Sequence, residues 1–289
     1  MGALWVMTLN VGTLFEPDWA TRRHEVVAWI DQVAPVVICL QEIHQSASTA
    51  NTGEWIANTA AAEWHHCFGG HPFGGTDADP TLLFGSSILS RQPIDHHELH
   101  RLPTVPDPDS PMAALVPWEL LHARTGGLDV FSTHLAPAPS HGRHRKLQVL
   151  TIDRLVRNAR GDKDRFAGTA LTDVPPILCG DFNAEPDSDE IRFLCGLTDL
   201  EATTTFWQDA WRVAGDGGPG YTQNWRTNKL AASLNVHCKR IDYIFVGDPF
   251  MRAGSVGRVL DARVIADDAL TTVKASDHWA LVATIVAPD

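Results

Sequence analysis

Several stretches of this chain set side chains that bind metals or move protons directly beside apolar, strand-like runs. Asn10 follows Val6-Met7-Thr8-Leu9, and Gln41-Glu42 follows Val36-Val37-Ile38-Cys39-Leu40. His134 ends the run Val130-Phe131-Ser132-Thr133. Asp181 and Asn183 stand in Gly180-Asp181-Phe182-Asn183, and Asp277 and His278 in Ser276-Asp277-His278. Packing does not call for this collection of Asn, Glu, His and Asp. It suits a hard divalent cation and the hydrolysis of a phosphate ester.

Magnesium takes oxygen ligands and keeps several waters, so one or two carboxylates plus a substrate phosphate are enough to hold it. Glu42 is the leading ligand candidate, with Asn10 and Asp277 beside it. A thiolate or all-histidine site would point to zinc instead. Hydrolysis also needs an oriented water and donors for the phosphoryl and leaving oxygens. Asp181 can polarise the water, and Asn183 can hold the water or the phosphate. His134 and His278 can donate to phosphoryl or leaving oxygens. A catalytic histidine commonly relies on a carboxylate to fix its tautomer, and Asp242 in Arg240-Ile241-Asp242-Tyr243 suits that role. General acid–base help supplies only about 10²- to 10⁴-fold in rate, so metal charge and positioning must supply the rest.

The composition narrows the partners. The chain has 289 residues, 44% of them hydrophobic, and a formal net charge of -12. That hydrophobic share supports an ordinary globular core, read as one domain over residues 1–289. The acidic balance disfavours nucleic acid, whose binding rests on Lys and Arg neutralising phosphates. A small or lipid-derived phosphate ester is the expected substrate. A nuclease with a local basic patch is the second reading, and a catalytically silent binding module the third. No run approaches the ~18 apolar residues of a membrane span, and no secretory leader is evident. The five cysteines form no Cys-x-x-Cys pair, so a reducing cytoplasm is the expected compartment.

The elements that must position these residues alternate between strand and helix patterns, which implies layers of helix on sheet. Strands are expected at 3–11, 36–40, 84–89, 114–121, 128–133, 175–180, 241–246, 259–265 and 280–286. Helices are expected at 18–34, capped by Asp18, and at 48–64, 142–159, 187–195 and 205–213, with Gly161 stopping the third. Loops are expected at 68–80, 101–111 and 216–229.

The ordered motifs Leu9-Asn10-Val11, Gln41-Glu42, Thr133-His134-Leu135, Gly180-Asp181-Phe182-Asn183, Ile241-Asp242-Tyr243 and Ser276-Asp277-His278 resemble the endonuclease/exonuclease/phosphatase superfamily. The resemblance runs from Leu4 to Ile285. It implies a four-layer α/β sandwich, two central β-sheets flanked by helices, with the metal at one end. It further implies Mg²⁺ or Mn²⁺ at Glu42 with Asn10 and Asp277 nearby, and Asp181 and Asn183 at the attacking water and phosphate. It puts Asp242 or Asp277 near His278 or His134. Arg145-Lys146-Leu147-Gln148 resembles a helix start found in hydrolase branches of the superfamily. Tyr221-Thr222 with Asn228 is loosely similar to sphingomyelinase-like and tyrosyl-DNA-phosphodiesterase-like members.

Simpler readings stand beside these. The run Arg143-His144-Arg145-Lys146 fits a solvated helix face, with Arg145 alone also suited to clamp a phosphate. Trp5, Trp29, Trp207 and Trp211 fit the core, whereas Trp225 lies in a loop and is the substrate-facing candidate. Asn10 fits a turn, and Asp242 fits a structural pair with Arg240. His65, His66, His71, His96, His97 and His100 match no zinc spacing and are read as scattered surface residues.

Overall fold

A computed structural model describes residues 2–73, 79–105, 118–160, 173–231, 237–247 and 253–288. The elements run β1 (Gly2–Asn10), α1 (Trp19–Val33), β2 (Val37–Gln45), α2 (Thr52–Thr59), β3 (His65–Pro72), β4 (Leu83–Ser90), β5 (Ile94–Arg101), β6 (Glu119–Thr125) and β7 (Leu128–His134). Then follow α3 (Gly142–Arg160), β8 (Ile177–Asp181), α4 (Asp189–Leu194), β9 (Trp207–Asp209), α5 (Ala210–Ala214), β10 (Asp242–Gly247), β11 (Val259–Ile265) and β12 (Ala280–Ala287).

The strands form two six-stranded sheets, ordered β11-β12-β1-β2-β4-β3 and β5-β6-β7-β8-β10-β9. Each has one parallel pair at its centre, β1 with β2 and β7 with β8, and antiparallel pairs outside it. Strand alternation divides the core into three slabs. Leu4, Val6, Val37, Cys39, Val130, Ile177, Cys179, Ile244, Val246, Leu281 and Ala283 fill the space between the sheets. The alternate residues Met7, Leu9, Ile38 and Leu40 pack under α1 and α2 with Val26, Ile30 and Ile56. Phe131, Leu178, Tyr243 and Phe245 pack under α3 and α4 with Val149, Ile152 and Ile191. This is the four-layer α/β sandwich that the resemblance implies.

Several local expectations change. An edge strand over residues 65–72 takes in the start of the loop expected at 68–80, and Gly85 lets β4 lie close against it: a Cβ there would sit 1.9 Å from the Gly69 carbonyl oxygen. The polar run Ile94–Arg101 is a mostly exposed edge strand, invisible to a search for apolar runs. The helix expected at 48–64 is confined to Thr52–Thr59, started by Asn51, whose side chain accepts from the Glu54 amide. The helix expected at 205–213 divides into β9 and the short α5, because Trp207–Asp209 pairs with β10. Asp18 occupies the cap position of α1 at a φ of 57°, without a side-chain cap bond. Gly161, residues 74–78 and 106–111 of the expected loops and 114–117 of the expected strand lie outside the described residues. No described helix is long and apolar enough to cross a membrane.

Candidate active site

The inter-sheet core ends in chemistry at one edge of the sandwich. Along β1 the inward positions run Leu4, Val6, Thr8 and Asn10. Along β2 they run Val37, Cys39 and Gln41, along β7 Val130, Ser132 and His134, and along β8 Ile177, Cys179 and Asp181. On each strand, apolar side chains give way to polar ones at the same end. A buried polar layer comes first. Thr8 Oγ1 donates to Gln41 Oε1 at 3.3 Å, and Gln41 Nε2 donates across the sheets to Ser132 Oγ at 3.1 Å. The site residues lie just beyond it.

Antiparallel pairing brings the later residues to this edge. Asp242 is in register with Asp181, and His134 pairs in parallel with Asp181. Thr8 pairs with Leu281, so the segment before β12, which carries Asp277 and His278, meets the end of β1. Glu42 breaks the alternation. It lies in a β-bulge between Leu40 and Ile43 at a φ of 59°, and bulges re-aim side chains in this way.

The hydrogen bonds tie the two sheets together at this point. Asn10 Nδ2 donates to Glu42 Oε1 at 2.9 Å and to Asp181 Oδ2 at 3.1 Å. Its own oxygen accepts from the Gly12 amide at 3.1 Å. Asn10 is therefore a bridge between two carboxylates, and its oxygen keeps a second lone pair free. The Asn183 amide donates to Asp181 Oδ1 at 2.8 Å, and its side chain donates to the Leu135 carbonyl at 3.0 Å. His278 Nδ1 lies 2.8 Å from Asp242 Oδ2. Its Nε2 faces Asp277 at 3.7 Å and Asp181 at 3.8 Å. His134 Nε2 is 3.6 Å from Asp181 Oδ2.

The environment pushes the two histidines apart. Burial opposes a charge on His278, but Asp242, Asp277 and Asp181 outweigh it and hold its pKa well above the ordinary value. Burial dominates at His134 and lowers its pKa despite Asp181. Burial also raises Glu42 to about 8, with Glu16 and Asp277 pushing the same way and the Asn10 amide pulling back. Glu16 rises to about 7 by burial and the Asp277 charge, opposed by Arg22 and His278.

A divalent cation fits these residues. Glu42 Oε2 is shielded from solvent and has no hydrogen-bond partner among the described residues, which a buried carboxylate oxygen tolerates poorly. Asp181, Asp242 and His278 also bring ligand-type atoms within 4.8 Å of one another. His278 Nδ1 is engaged by Asp242, and the surrounding carboxylates favour a proton on both ring nitrogens, so the imidazole donates from Nε2 rather than ligating through it. We therefore read this trio as a proton and hydrogen-bond relay, and Glu42 as the metal side of the site.

The sequence profile of the Endonuclease/Exonuclease/phosphatase family matches residues 7–278. The chain belongs to that family. Its members are metal-dependent phosphoester hydrolases, typically using a divalent cation. Solved structures share the fold at low identity. Truncated Caenorhabditis elegans TDP2 is 19% identical with a TM-score of 0.65, covering 99% of this chain and 98% of its own. D. rerio TDP2 complexed with single strand DNA product is 17% identical with a TM-score of 0.67, covering 99% and 100%. The human Nocturnin catalytic domain with bound sulfate anion is 18% identical with a TM-score of 0.67, covering 98% and 93%. No curated protein matches the chain.

Other sequence candidates fall elsewhere. Arg145 is neither a solvated face nor a phosphate clamp. It is 5% exposed and donates to Glu190 Oε1 at 2.6 Å and to the carbonyls of Ala136 and Ala138 at 3.0 and 2.8 Å. The helix turns this residue inward, where it ties the loop after His134 to α4. Trp225 is 43% exposed, with the Arg226 guanidinium 5.7 Å from its ring. Arg240 pairs with Asp209 at 2.8 Å, which leaves Asp242 to His278. His71 is buried and lies 3.2 Å from Glu119, not scattered on the surface.

Sequence reasoning missed Gln223, Arg22 and Glu16. Gln223 bridges the backbone of His278, and its Nε2 donates to Asp277 Oδ2 at 3.2 Å. Asn228 Nδ2 holds the Ser276 carbonyl at 2.7 Å. The signal for Glu16 was its place in the loop just after β1, at the sheet edge where Asn10 stands.

Proposed function

We propose that this chain is a Mg²⁺- or Mn²⁺-dependent phosphoesterase that hydrolyses a small or lipid-derived phosphate ester by attack of water. The observation that carries this reading is the buried line Asp242–His278–Asp181 joined through Asn10 to Glu42. It gathers a proton relay and an open carboxylate at one sheet edge. Glu42 would hold the cation with Asp277 nearby, and the cation would supply positive charge for the phosphoryl oxygens and lower the pKa of a bound water.

The protein's own groups have separable tasks. Asp181 accepts from Asn10 and from the Asn183 amide, so its carboxylate is fixed and poised to orient the attacking water. Asn183 sits at a φ of 50°, a conformation that aims it at the site at the expense of some backbone strain. Asp242 fixes His278 with a proton on Nδ1 and stabilises the imidazolium. His278 Nε2–H then points into the site as a donor to the phosphoryl oxygens. His134 stays neutral at neutral pH and accepts or relays a proton beside Asp181. Groups whose pKa values are driven apart by their surroundings divide acid and base roles in this way.

A nuclease reading has its own support, since the D. rerio TDP2 of the same fold is complexed with single strand DNA product. Trp225 and Phe15, 43% and 58% exposed, offer faces on which bases stack. The net charge of -12 weighs against it. The five free cysteines suit a reducing, cytoplasmic setting. A substrate panel separates the readings: supercoiled plasmid, a single-stranded oligonucleotide, bis-p-nitrophenyl phosphate and p-nitrophenyl phosphate, each with Mg²⁺. Ester cleavage without nicking keeps the small-substrate reading. Efficient nicking lost in His278→Ala replaces it with the nuclease.

A further inference from the structure

We propose that Glu16 is a ligand of the divalent cation in this chain, its carboxylate filling the space that a side chain at position 12 would take. This rests on the functional reading above and adds a residue to its metal centre. Gly12 lies two positions beyond Asn10 at a φ of 54°. A Cβ built there would lie 1.5 Å from Glu16 Oε2 and 2.4 Å from its carboxyl carbon. Glycine at position 12 leaves this space to the Glu16 carboxylate, and a side chain there would make the flexible carboxylate move aside.

The carboxylate oxygens at this edge are not equivalent. Asp277 Oδ1 accepts from Ser276 Oγ at 3.2 Å, and its Oδ2 from Gln223 Nε2 at 3.2 Å. Glu42 Oε2 and Glu16 Oε2 are both shielded from solvent and both lack a hydrogen-bond partner among the described residues. One on the loop after β1 and the other at the β2 bulge, these two shielded carboxylates repel each other. A cation bound between them would satisfy both at once. Asp277 is then the carboxylate that positions Gln223 and His278, with Glu16 and Glu42 left open for the metal.

Arg22 holds Glu16 in this place without neutralising it through a hydrogen bond. Arg22 is 2% exposed. Its Nε donates to the Pro17 carbonyl at 2.7 Å, and its terminal nitrogens to the carbonyls of Val11, Ala275, Gly12 and Glu16 at 2.9, 2.8, 2.7 and 3.2 Å. Every one of these bonds ends on backbone. Together they fasten the loop after β1 to the residue two before Asp277, so the fold invests a buried arginine in placing Glu16.

The test is Mn²⁺ binding by the EDTA-stripped full chain, followed by electron paramagnetic resonance, with the unfolding temperature of each metal-free protein measured alongside. Glu16→Gln keeps the shape and removes the charge. Gly12→Ala keeps the charge and drives a methyl into the carboxylate's place. Both are expected to weaken Mn²⁺ affinity by about tenfold or more, since even indirect supports of a metal site typically change affinity ~10- to 100-fold. Metal-free Glu16→Gln is expected to unfold at the wild-type temperature or above, because a repulsion has gone. Wild-type Mn²⁺ affinity in either folded variant overturns the assignment of Glu16 and leaves the phosphoesterase reading intact. A wild-type chain that binds no Mn²⁺ at millimolar concentration overturns both.

Discussion

Replacing Glu42 by glutamine should make the metal-free protein more stable at alkaline pH while destroying its affinity for the cation. Burial raises the Glu42 carboxyl from 4.5 to about 8, so the folded chain keeps this proton to higher pH than the unfolded chain. The resulting stabilisation is fully present below about pH 4.5 and is lost as the pH rises through about 8. At about 1.4 kcal/mol per pKa unit, the rise corresponds to at most about 5 kcal/mol. Glu42 Oε2 is shielded, but the residue as a whole is only partly buried, so solvent screening brings the figure to about 2–3 kcal/mol. The substituted side chain would keep an oxygen for the Asn10 amide, which donates to Glu42 at 2.9 Å, and would carry no charge. Urea unfolding in EDTA at pH 5 and pH 9 reads the effect. The wild type should lose about 2–3 kcal/mol more than Glu42→Gln between those two conditions. Parallel losses in the two proteins would refute the claim that Glu42 is a strained, desolvated carboxylate awaiting a cation.

Other consequences can be checked with the same proteins and assays. Arg145→Ala should lower the unfolding free energy by about 3–5 kcal/mol, as expected when one partner of a buried ion pair is removed, with Mn²⁺ affinity unchanged. The double variant with Glu190→Ala should lose less than the sum of the single changes. His278→Ala and Asp181→Ala should each reduce turnover by at least about 10²-fold while the far-ultraviolet spectrum and unfolding temperature stay near wild type. Burial, helped by His97, lowers His66 from 6.5 to about 4, so it folds neutral beside Ser87 Oγ at 2.9 Å. Stability present above about pH 6.5 is therefore lost as the pH falls toward 4, and His66→Gln should flatten that acid limb by about 1–2 kcal/mol after screening.

The site was legible in the sequence because its residues continue the same strands that make the core. Asn10, His134 and Asp181 each stand two positions beyond a buried inward residue on a strand marked by apolar alternation. The order of the motifs pointed to the family but left open whether Asp242 or Asp277 partners His278 or His134; the structure pairs Asp242 with His278. What stayed hidden was carried by irregular backbone. The bulge that aims Glu42 left no mark beyond the polar pair Gln41-Glu42. Gln223 and Glu16 lie in loops, and their importance depends on which distant segment the loop meets. Arg145 misled because a charged residue on an amphipathic helix reads as solvated until a buried partner is seen, and Glu190 is 45 positions away. The edge strands β3 and β5 fell outside the apolar pattern for a related reason, whereas the edge strand β11 was expected at its bounds. Exposed residues such as those of Ile94–Arg101 need no hydrophobic face, only a neighbour to pair with.

Turnover of bis-p-nitrophenyl phosphate by EDTA-stripped protein, with Mg²⁺ titrated back, bears most directly on the central claim. No hydrolysis is expected without the cation, with saturable recovery as Mg²⁺ is added and no recovery in Glu42→Gln or His278→Ala at matched folding. Undiminished hydrolysis in EDTA, or full Mg²⁺-dependent recovery in either variant, would contradict that claim.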